Sequence, residues 1–297
     1  MDSHRSAIFG LCYRMTGSAA DAEDLVQETF RKALEHPPPD RERSLRPWLL
    51  RVATNLSIDA LRRRKREHYF GPWLPAPVDT DRLIASIEPG PEMRYDLFES
   101  ATSAFLMALE VLDPRERAVL VLRDVLGLTG PETAEIMGES AGNVRVILHR
   151  SRKRLGQIRE ARAPITPELR DQTARRLREL VMRLGLRDFD GVVRLLADDI
   201  TSVHDGAGEF TAAVRVLRGI ADVMRLYSEI VPQTPWPTWS EELDLNALPA
   251  IAVRYPERSG ALARNLLFWV ELDPAGQIAA FRGIVASAKL GAVRFPR

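Results

Sequence analysis

One cysteine, Cys12, stands in 297 residues. No intramolecular disulfide can form, and its apolar neighbours make it a buried core thiol that fits a reducing compartment. No apolar run reaches membrane-spanning length, and the N-terminus lacks the basic-then-apolar layout of a signal peptide. The expectation is a soluble, cytoplasmic protein without a membrane partner. Net charge is scarce too, at +1. What is present is length for two or three domains and 45% hydrophobic residues, enough for real cores.

Near-neutrality hides segregation. Residues 41–66 hold nine basic groups against Glu42 and Asp59, and residues 144–162 hold seven against Glu160 alone. Two basic patches in a neutral chain suggest a polyanion gripped at two places. The first patch ends the stretch Pro47–Arg66, PWLLRVATNLSIDALRRRKR. At helical period Leu49, Val52, Ala53, Leu56 and Ala60 share one face, and Pro47 suits a first turn. Arg51, Asn55, Asp59, Arg62 and Arg66 stripe the other face. The closing run Arg62–Arg66 exceeds what a helix C-terminus needs for its dipole. A solvated tail is the plain alternative. A nucleic-acid helix, with Trp48 and Asn55 near enough to address bases, explains more. This stretch resembles regions 2.3 to 2.4, the promoter-melting and −10-reading helix, of an extracytoplasmic-function (ECF) sigma factor of the sigma-70 family.

Upstream, Ile8, Leu11, Cys12 and Met15 mark a helix over residues 5–16. Ser18 and Asp21 form a capping pattern that opens the next helix. In Asp21–Leu34, Ala22, Leu25, Val26, Phe30 and Ala33 point inward and leave Asp21, Asp24, Gln27, Glu28 and Arg31 outside. His36–Pro37–Pro38–Pro39 ends that helix. DAEDLVQETFRKAL is similar to region 2.2, and the resemblance implies that the outward residues bind core RNA polymerase at the β′ clamp.

Residues 71–101 read as a linker with extended stretches, from Gly71 to about Gly90–Pro91. Exposed Trp73 and Leu74 would be costly in water, so the linker is expected to dock. Trp73-Leu74-Pro75-Ala76-Pro77 resembles the Trp-Leu-Pro-Glu-Pro signature of sigma factors with a C-terminal SnoaL-like domain, with Ala76 in place of the glutamate.

Residues 102–162 form a second helical unit. Asp113-Pro114-Arg115-Glu116 is a capping box with proline at the first helical position, and Ala118, Val121, Leu122 and Val125 line one face. Gly127 stops that helix. Thr129 and Glu132 open a short helix to Met137, Gly138-Glu139-Ser140 turns the chain, and a longer basic helix follows. The last helix buries Val144, Ile147, Leu148, Ser151, Leu155 and Ile158, and exposes Asn143, Arg145, His149, Arg150 and Lys153. This is helix-turn-helix spacing, with the second helix sized for a major groove. LDPRERAVLVLRDVLGLTGPETAEIMGESAGNVRVILHRSRKRL resembles sigma region 4, which implies −35 reading by the exposed residues and a β-flap surface near residues 111–126. Thr133 stands where that family usually has isoleucine. His149 has no partner spaced for a metal, and neither metal nor cofactor is expected.

From Thr166 the chain changes character. Thr166-Pro167 opens a helix with Leu169, Thr173, Leu177, Leu180, Val181 and Leu184 inward, and a short helix follows with Phe189, Val192, Val193 and Leu196. Ile200–His204 reads as a strand, Asp205–Gly208 as a tight turn, and 219–231 as a helix. Strands are expected at about 249–255, 264–272 and 277–286, with Asp273–Gly276 a hairpin. Helices first and then a meander predict an α+β fold. Residues 167–297 resemble the SnoaL-like cone. Asp205-Gly206-Ala207-Gly208-Glu209 answers the family's Asp-Gly-Gly-Gly-Lys, and Ala286-Ser287-Ala288-Lys289-Leu290 its Asn-Pro-Asp-Lys-Leu. A regulatory interdomain set of Trp73, Leu74, Pro75, Asp205, Gly206 and Gly208 is what the resemblance implies.

His204 and Asp205 are the obvious candidates for chemistry in such a cone, but adjacent strand residues face opposite ways. The fold-class expectation is therefore two all-α domains, region 2 (1–70) and the helix-turn-helix region 4 (102–162), and then an α+β SnoaL-like domain. The resemblance implies a non-enzymatic ECF sigma factor that directs core polymerase to promoter DNA, through Trp48, Arg51, Asn55, Asp59, Arg62 and Arg63 at the −10 element. Its own C-terminal domain would modulate it, with a small-molecule ligand of that domain left open. The rivals are a helix-turn-helix regulator acting without polymerase and a SnoaL-like enzyme with a helical accessory region.

Overall fold

The computed structural model describes residues 2–37, 44–66, 69–85, 97–159, 165–210, 212–256 and 262–296. Pro38, Pro39, Arg41, Glu42, Arg43, Gly90, Pro91, Glu160, Arg162 and the side chains of Ile158 and Arg159 lie outside the described residues. The chain divides into two compact units, Met1–His68 with Val78–Glu160, and Tyr69–Pro77 with Ala161–Arg297.

In the first unit, α1 (Asp2–Thr16) buries Ile8, Leu11, Cys12 and Met15 as its periodicity requires. Gly17 takes a left-handed φ of 66° and turns the chain, and the Ser18 hydroxyl accepts from the Asp21 N–H at 3.2 Å to start α2 (Ala19–Glu35). Ala22, Leu25, Val26 and Ala33 are buried, and Phe30 is half-buried.

The next helix, α3 (Leu45–Arg64), starts at N-cap Ser44, so Pro47 does sit in the first turn. Its buried face differs from the periodicity reading: Leu49, Leu50, Ala53, Thr54, Ser57, Ile58 and Leu61 are covered, while Val52, Leu56 and Ala60 are half-buried. The reason is tertiary. Besides α1 and α2, α3 packs on helices from residues 114–137, so a rotated stripe with two small hydroxyl residues is enclosed.

The stretch expected as linker holds two short helices, α4 (Thr80–Ile84, capped by Asp79) and α5 (Leu97–Ala101). Thr102 caps α6 (Ser103–Ala108), and a 3-10 turn covers Leu109–Val111. The capping box at Asp113–Glu116 opens α7 (Pro114–Leu120), which widens into a π-turn over Val121–Val125 before Gly127 ends it. The Thr129–Glu132 box opens α8 (Gly130–Met137), Gly138 closes it at φ 64°, and α9 (Ala141–Arg159) follows. The Thr133 hydroxyl is buried with no partner among the described residues. An apolar side chain would suit that spot.

Segments expected as separate domains thus share one unit, and polar contacts link them. Fully buried Arg14 donates to the Gly10 carbonyl and to Ser100 Oγ, and burial pulls its pKa down to about 10. Arg117 donates to the Met15 carbonyl at 2.6 Å and to Glu110 at 2.7 Å. Arg64 reaches the Thr16 carbonyl and the same Glu110 at 2.6 and 2.7 Å.

The second unit is α+β. Thr166 caps α10 (Pro167–Gly185), and α11 (Phe189–Val193) follows. Leu196, expected on that helix, already belongs to β1 (Leu196–Asp205). After β2 (Leu217–Arg218) and α12 (Gly219–Gln233) come β3 (Trp239–Leu245), β4 (Leu248–Arg254), β5 (Asn265–Leu272) and β6 (Ile278–Ile284). The sheet order is β2-β1-β6-β5-β4-β3, with β1 parallel to β6 and the other pairs antiparallel. The expected meander omitted β2 and β3. Asn246 and Ala247, both at positive φ, make the two-residue turn between β3 and β4 without a glycine to mark it. Helices α10, α11 and α12 cover one sheet face over Leu177, Leu180, Val192, Val223, Ile251 and Phe268.

Candidate functional site

On α2, Asp21, Asp24, Gln27 and Arg31 are exposed and Glu28 is half-exposed. Arg31 is held within its own helix by Glu28 at 2.6 Å and Glu35 at 2.5 Å. The hydrogen bonds from Arg31 hold the Glu28 carboxyl below the usual range. This face is acidic, with its one exposed cation already paired.

On α3, Arg51, Asn55, Asp59, Arg62 and Arg63 are all exposed and Trp48 is half-buried. Asp59 lies 3.4 Å from Arg62, a loose surface pair of small worth. Arg64 is different. It is committed to Thr16 and Glu110, so the closing basic run is not uniformly available.

On α9, Asn143, Arg145, His149, Arg150 and Lys153 are exposed, whereas Val144, Leu148, Ser151 and Leu155 are buried and Ile147 half-buried. The Asn143 amide donates to Glu139 at 2.7 Å. Two arginines counted in this basic patch are structural. Arg152 grips the fully buried Asp124 at 2.5 and 2.9 Å, and Arg154 reaches Glu116 at 2.5 Å. Residues 111–126 are mostly buried, although Val111 stays exposed.

In the second unit, Asp205 is the hub. Its buried carboxylate accepts from the Tyr69 hydroxyl at 2.5 Å, the Leu74 N–H at 2.7 Å and Lys289 Nζ at 2.6 Å. Lys289 also donates to the Leu74 carbonyl at 2.6 Å, and its ammonium lies 4.6 and 4.8 Å from the Tyr69 and Trp73 ring centres. Leu74 and Pro75 are buried, and Trp73 is half-buried. Gly208, at φ 77°, runs close to Phe70, where a Cβ would lie 3.3 Å from the ring. Gly206 sits where a Cβ would crowd the Phe210 carbonyl at 2.9 Å. Glu209, whose charge is opposite to the family's lysine, accepts from the Ser287 N–H and hydroxyl at 2.8 and 2.5 Å. The three motif segments therefore converge. Local sequence pattern marks neither Lys289 nor Tyr69 as a site residue; their role shows only once the fold brings 69–77 and 286–290 together.

His204, next to Asp205, faces the other way into a cavity of about 850 Å³. Its Nε2 lies 2.9 Å from both Ser202 Oγ and Tyr227 Oη. Burial, and then the Arg282 charge, push its pKa down to about 4, so the ring is neutral near pH 7. With Asp205 on the opposite face, no carboxylate among the described residues pairs with this histidine for acid–base work.

The sigma-70 region 2 family matches residues 1–67, and the sigma-70 region 4 family residues 102–155. SigG of Mycobacterium tuberculosis, an ECF RNA polymerase sigma factor, is 38% identical over 76% of this chain and 66% of its own length, just under two thirds. SigJ of the same organism, also an ECF sigma factor, is 33% identical over 76% of this chain and 70% of its own. The crystal structure of SigJ superposes with a TM-score of 0.73 at 25% identity, covering 99% of this chain and 98% of that one. The fold and these two regions define a sigma-70-family sigma factor. Within that class the chain belongs to the ECF sigma factors, and its C-terminal α+β unit resembles SnoaL-like folds.

Proposed function

We propose that this ECF sigma factor docks on bacterial core RNA polymerase in the cytoplasm and delivers it to a subset of promoters, performing no chemistry of its own. Asp21, Asp24, Gln27 and Glu28 present the face for the β′ clamp, with Arg31 bracing it through its pairs to Glu28 and Glu35. Arg51, Asn55, Asp59, Arg62 and Arg63 engage the −10 element, and Trp48 offers a ring on which an unpaired base can stack. Asn143, Arg145, His149, Arg150 and Lys153 meet the −35 major groove and its phosphates.

The observation that carries this reading is the division of labour on α3 and α9: Arg64, Arg152 and Arg154 turn to protein carboxylates, while every residue assigned to DNA except half-buried Trp48 is exposed. Elements centred about 25 base pairs apart lie roughly 85 Å apart along the duplex. A compact unit of this size has a radius of gyration of only about 15 Å. The two helical segments must therefore part on promoter DNA, breaking the Arg64–Glu110 and Arg117–Met15 contacts and uncovering residues 111–126 for the β flap. The C-terminal domain sets this opening by holding Tyr69–Pro77, the start of the tether, through Asp205 and Lys289.

The test is transcription in vitro from a cognate promoter with core polymerase. Arg62→Ala with Arg63→Ala should abolish promoter-directed transcripts while leaving core binding intact. Undiminished transcription would remove α3 from the −10 role.

A further inference from the structure

The N-terminal end of α9 is held by one carboxylate. Glu139 sits in the turn between α8 and α9, and its side chain is 22% exposed. Both of its oxygens are engaged. Oε1 pairs with the Arg115 guanidinium from the first turn of α7, and Oε2 accepts from Asn143 Nδ2 at 2.7 Å. Arg115 is seated in turn by the Asp113 cap, whose carboxylate accepts from its backbone N–H at 2.9 Å. Asn143 is the third residue of α9, and its own N–H donates to Ser140 Oγ at 3.1 Å. Backbone and side chain of Asn143 are both fixed from the preceding turn.

The chemistry of this contact decides which way the amide faces. A carboxylate only accepts, so the group turned to Glu139 is the NH2, and Oδ1 is left for another partner. Asn143 is exposed, and Oδ1 accepts no hydrogen bond among the described residues. Nothing bulky precedes it. Ala141 and Gly142 open the helix, and a Cβ at Gly142 would meet only Ser140 Oγ, at 3.9 Å. A duplex can approach this end closely, as the first turn of a recognition helix requires. The amide then offers an acceptor and, on its second N–H, a donor. Adenine complements both in the major groove, with its N6 amino group and N7. Guanine and thymine turn keto oxygens to the same place, where they would oppose Oδ1, acceptor against acceptor. Cytosine matches through its amino group alone.

We propose that Glu139, braced by Arg115, is a positioning residue that locks the Asn143 amide with Oδ1 outward, so that α9 selects adenine at the base it addresses. This rests on the reading of α9 as the −35 helix and adds the device that sets one position of its specificity. Without the Glu139 carboxylate the amide can turn over and donate to a keto oxygen, which admits guanine and thymine.

The test uses the full chain with core polymerase and a pool of linear duplexes randomised upstream, each linked to its own transcribed barcode. The parent should enrich adenine over guanine and thymine about tenfold at one upstream position. Asn143→Ala should erase the preference there and nowhere else. Glu139→Gln, and independently Glu139→Ala, should cut it below about threefold by admitting guanine and thymine, with the other enriched positions unchanged. General destabilisation would lower transcription of every template and leave the base profile intact. With the unaltered chain, purine in place of that adenine, which lacks the amino group, should lower transcription as far as guanine does. An adenine preference that survives both Glu139 variants would overturn the positioning role. Purine transcribed as well as adenine would overturn the contact to Oδ1. A parent that transcribes but enriches no upstream element would instead remove the −35 reading itself, and this inference with it.

Discussion

His204 and Asp205 are consecutive in β1, yet the imidazole lines the cavity while the carboxylate grips Lys289 and the Leu74 backbone. The alternation of a strand separates them. It also puts the interior of the domain one peptide bond away from the contact that holds the tether.

Asp205→Ala should therefore free residues 69–77. It removes the acceptor for Tyr69, Leu74 and Lys289 together, and leaves Lys289, whose side chain is only 13% exposed, without its carboxylate. Breaking a buried pair of this kind costs about 3 to 5 kcal/mol. Hydrogen exchange at the Leu74 amide should accelerate at least tenfold, while the amides of α10 keep the parent rate. An unchanged Leu74 rate would show that the segment is held by packing alone.

Acid should weaken the C-terminal domain through His204. The folded ring is held neutral down to about pH 4, against an ordinary value of 6.5. Between those values the unfolded chain binds a proton that the folded one refuses, so stability falls as pH drops through this window and levels below it. The groups facing the ring are Tyr227, Ser202 and, electrostatically, Arg282. His204→Leu should flatten the decline in melting temperature between pH 6.5 and 4. An equal decline in both proteins would assign the effect elsewhere.

The arginines of α9 should divide into two classes. Arg152→Ala strands the fully buried Asp124 and should cost about 3 kcal/mol of stability. Arg150→Ala and Lys153→Ala touch exposed groups and should leave the melting temperature within about a degree. The latter pair should instead lower −35-dependent transcription and its salt sensitivity. Equal destabilisation by all three would contradict the division.

Cys12 should be inert in the folded chain. Burial pushes its thiol pKa up to about 12, so little thiolate forms near neutral pH and no reagent has access. Reaction with a disulfide reagent should track global unfolding in denaturant. Prompt labelling of the native protein would contradict the packing of α1.

The sequence revealed these features unevenly, for physical reasons. Capping boxes at Asp113 and Thr129 are local chemistry, and both form as read. The exposed faces of α2 and α9 follow from period alone. The inward face of α3 was rotated because α7 and α8 also pack on it, which no single-helix pattern encodes. The division between Arg150 and Arg152 could not be seen either, since it depends on a carboxylate 28 residues away. The roles of Tyr69 and Lys289 come from meetings of distant segments, and the Asn246–Ala247 turn lacks the glycine that usually marks a tight hairpin.

Binding to bacterial core RNA polymerase is the most direct measurement, made with the full chain and with a version ending after Ala163. The account predicts saturable binding by both, with competition against another sigma factor for the same enzyme, and a change in affinity when the C-terminal domain is removed. Failure of both forms to bind an active core enzyme that accepts a control sigma factor would contradict it.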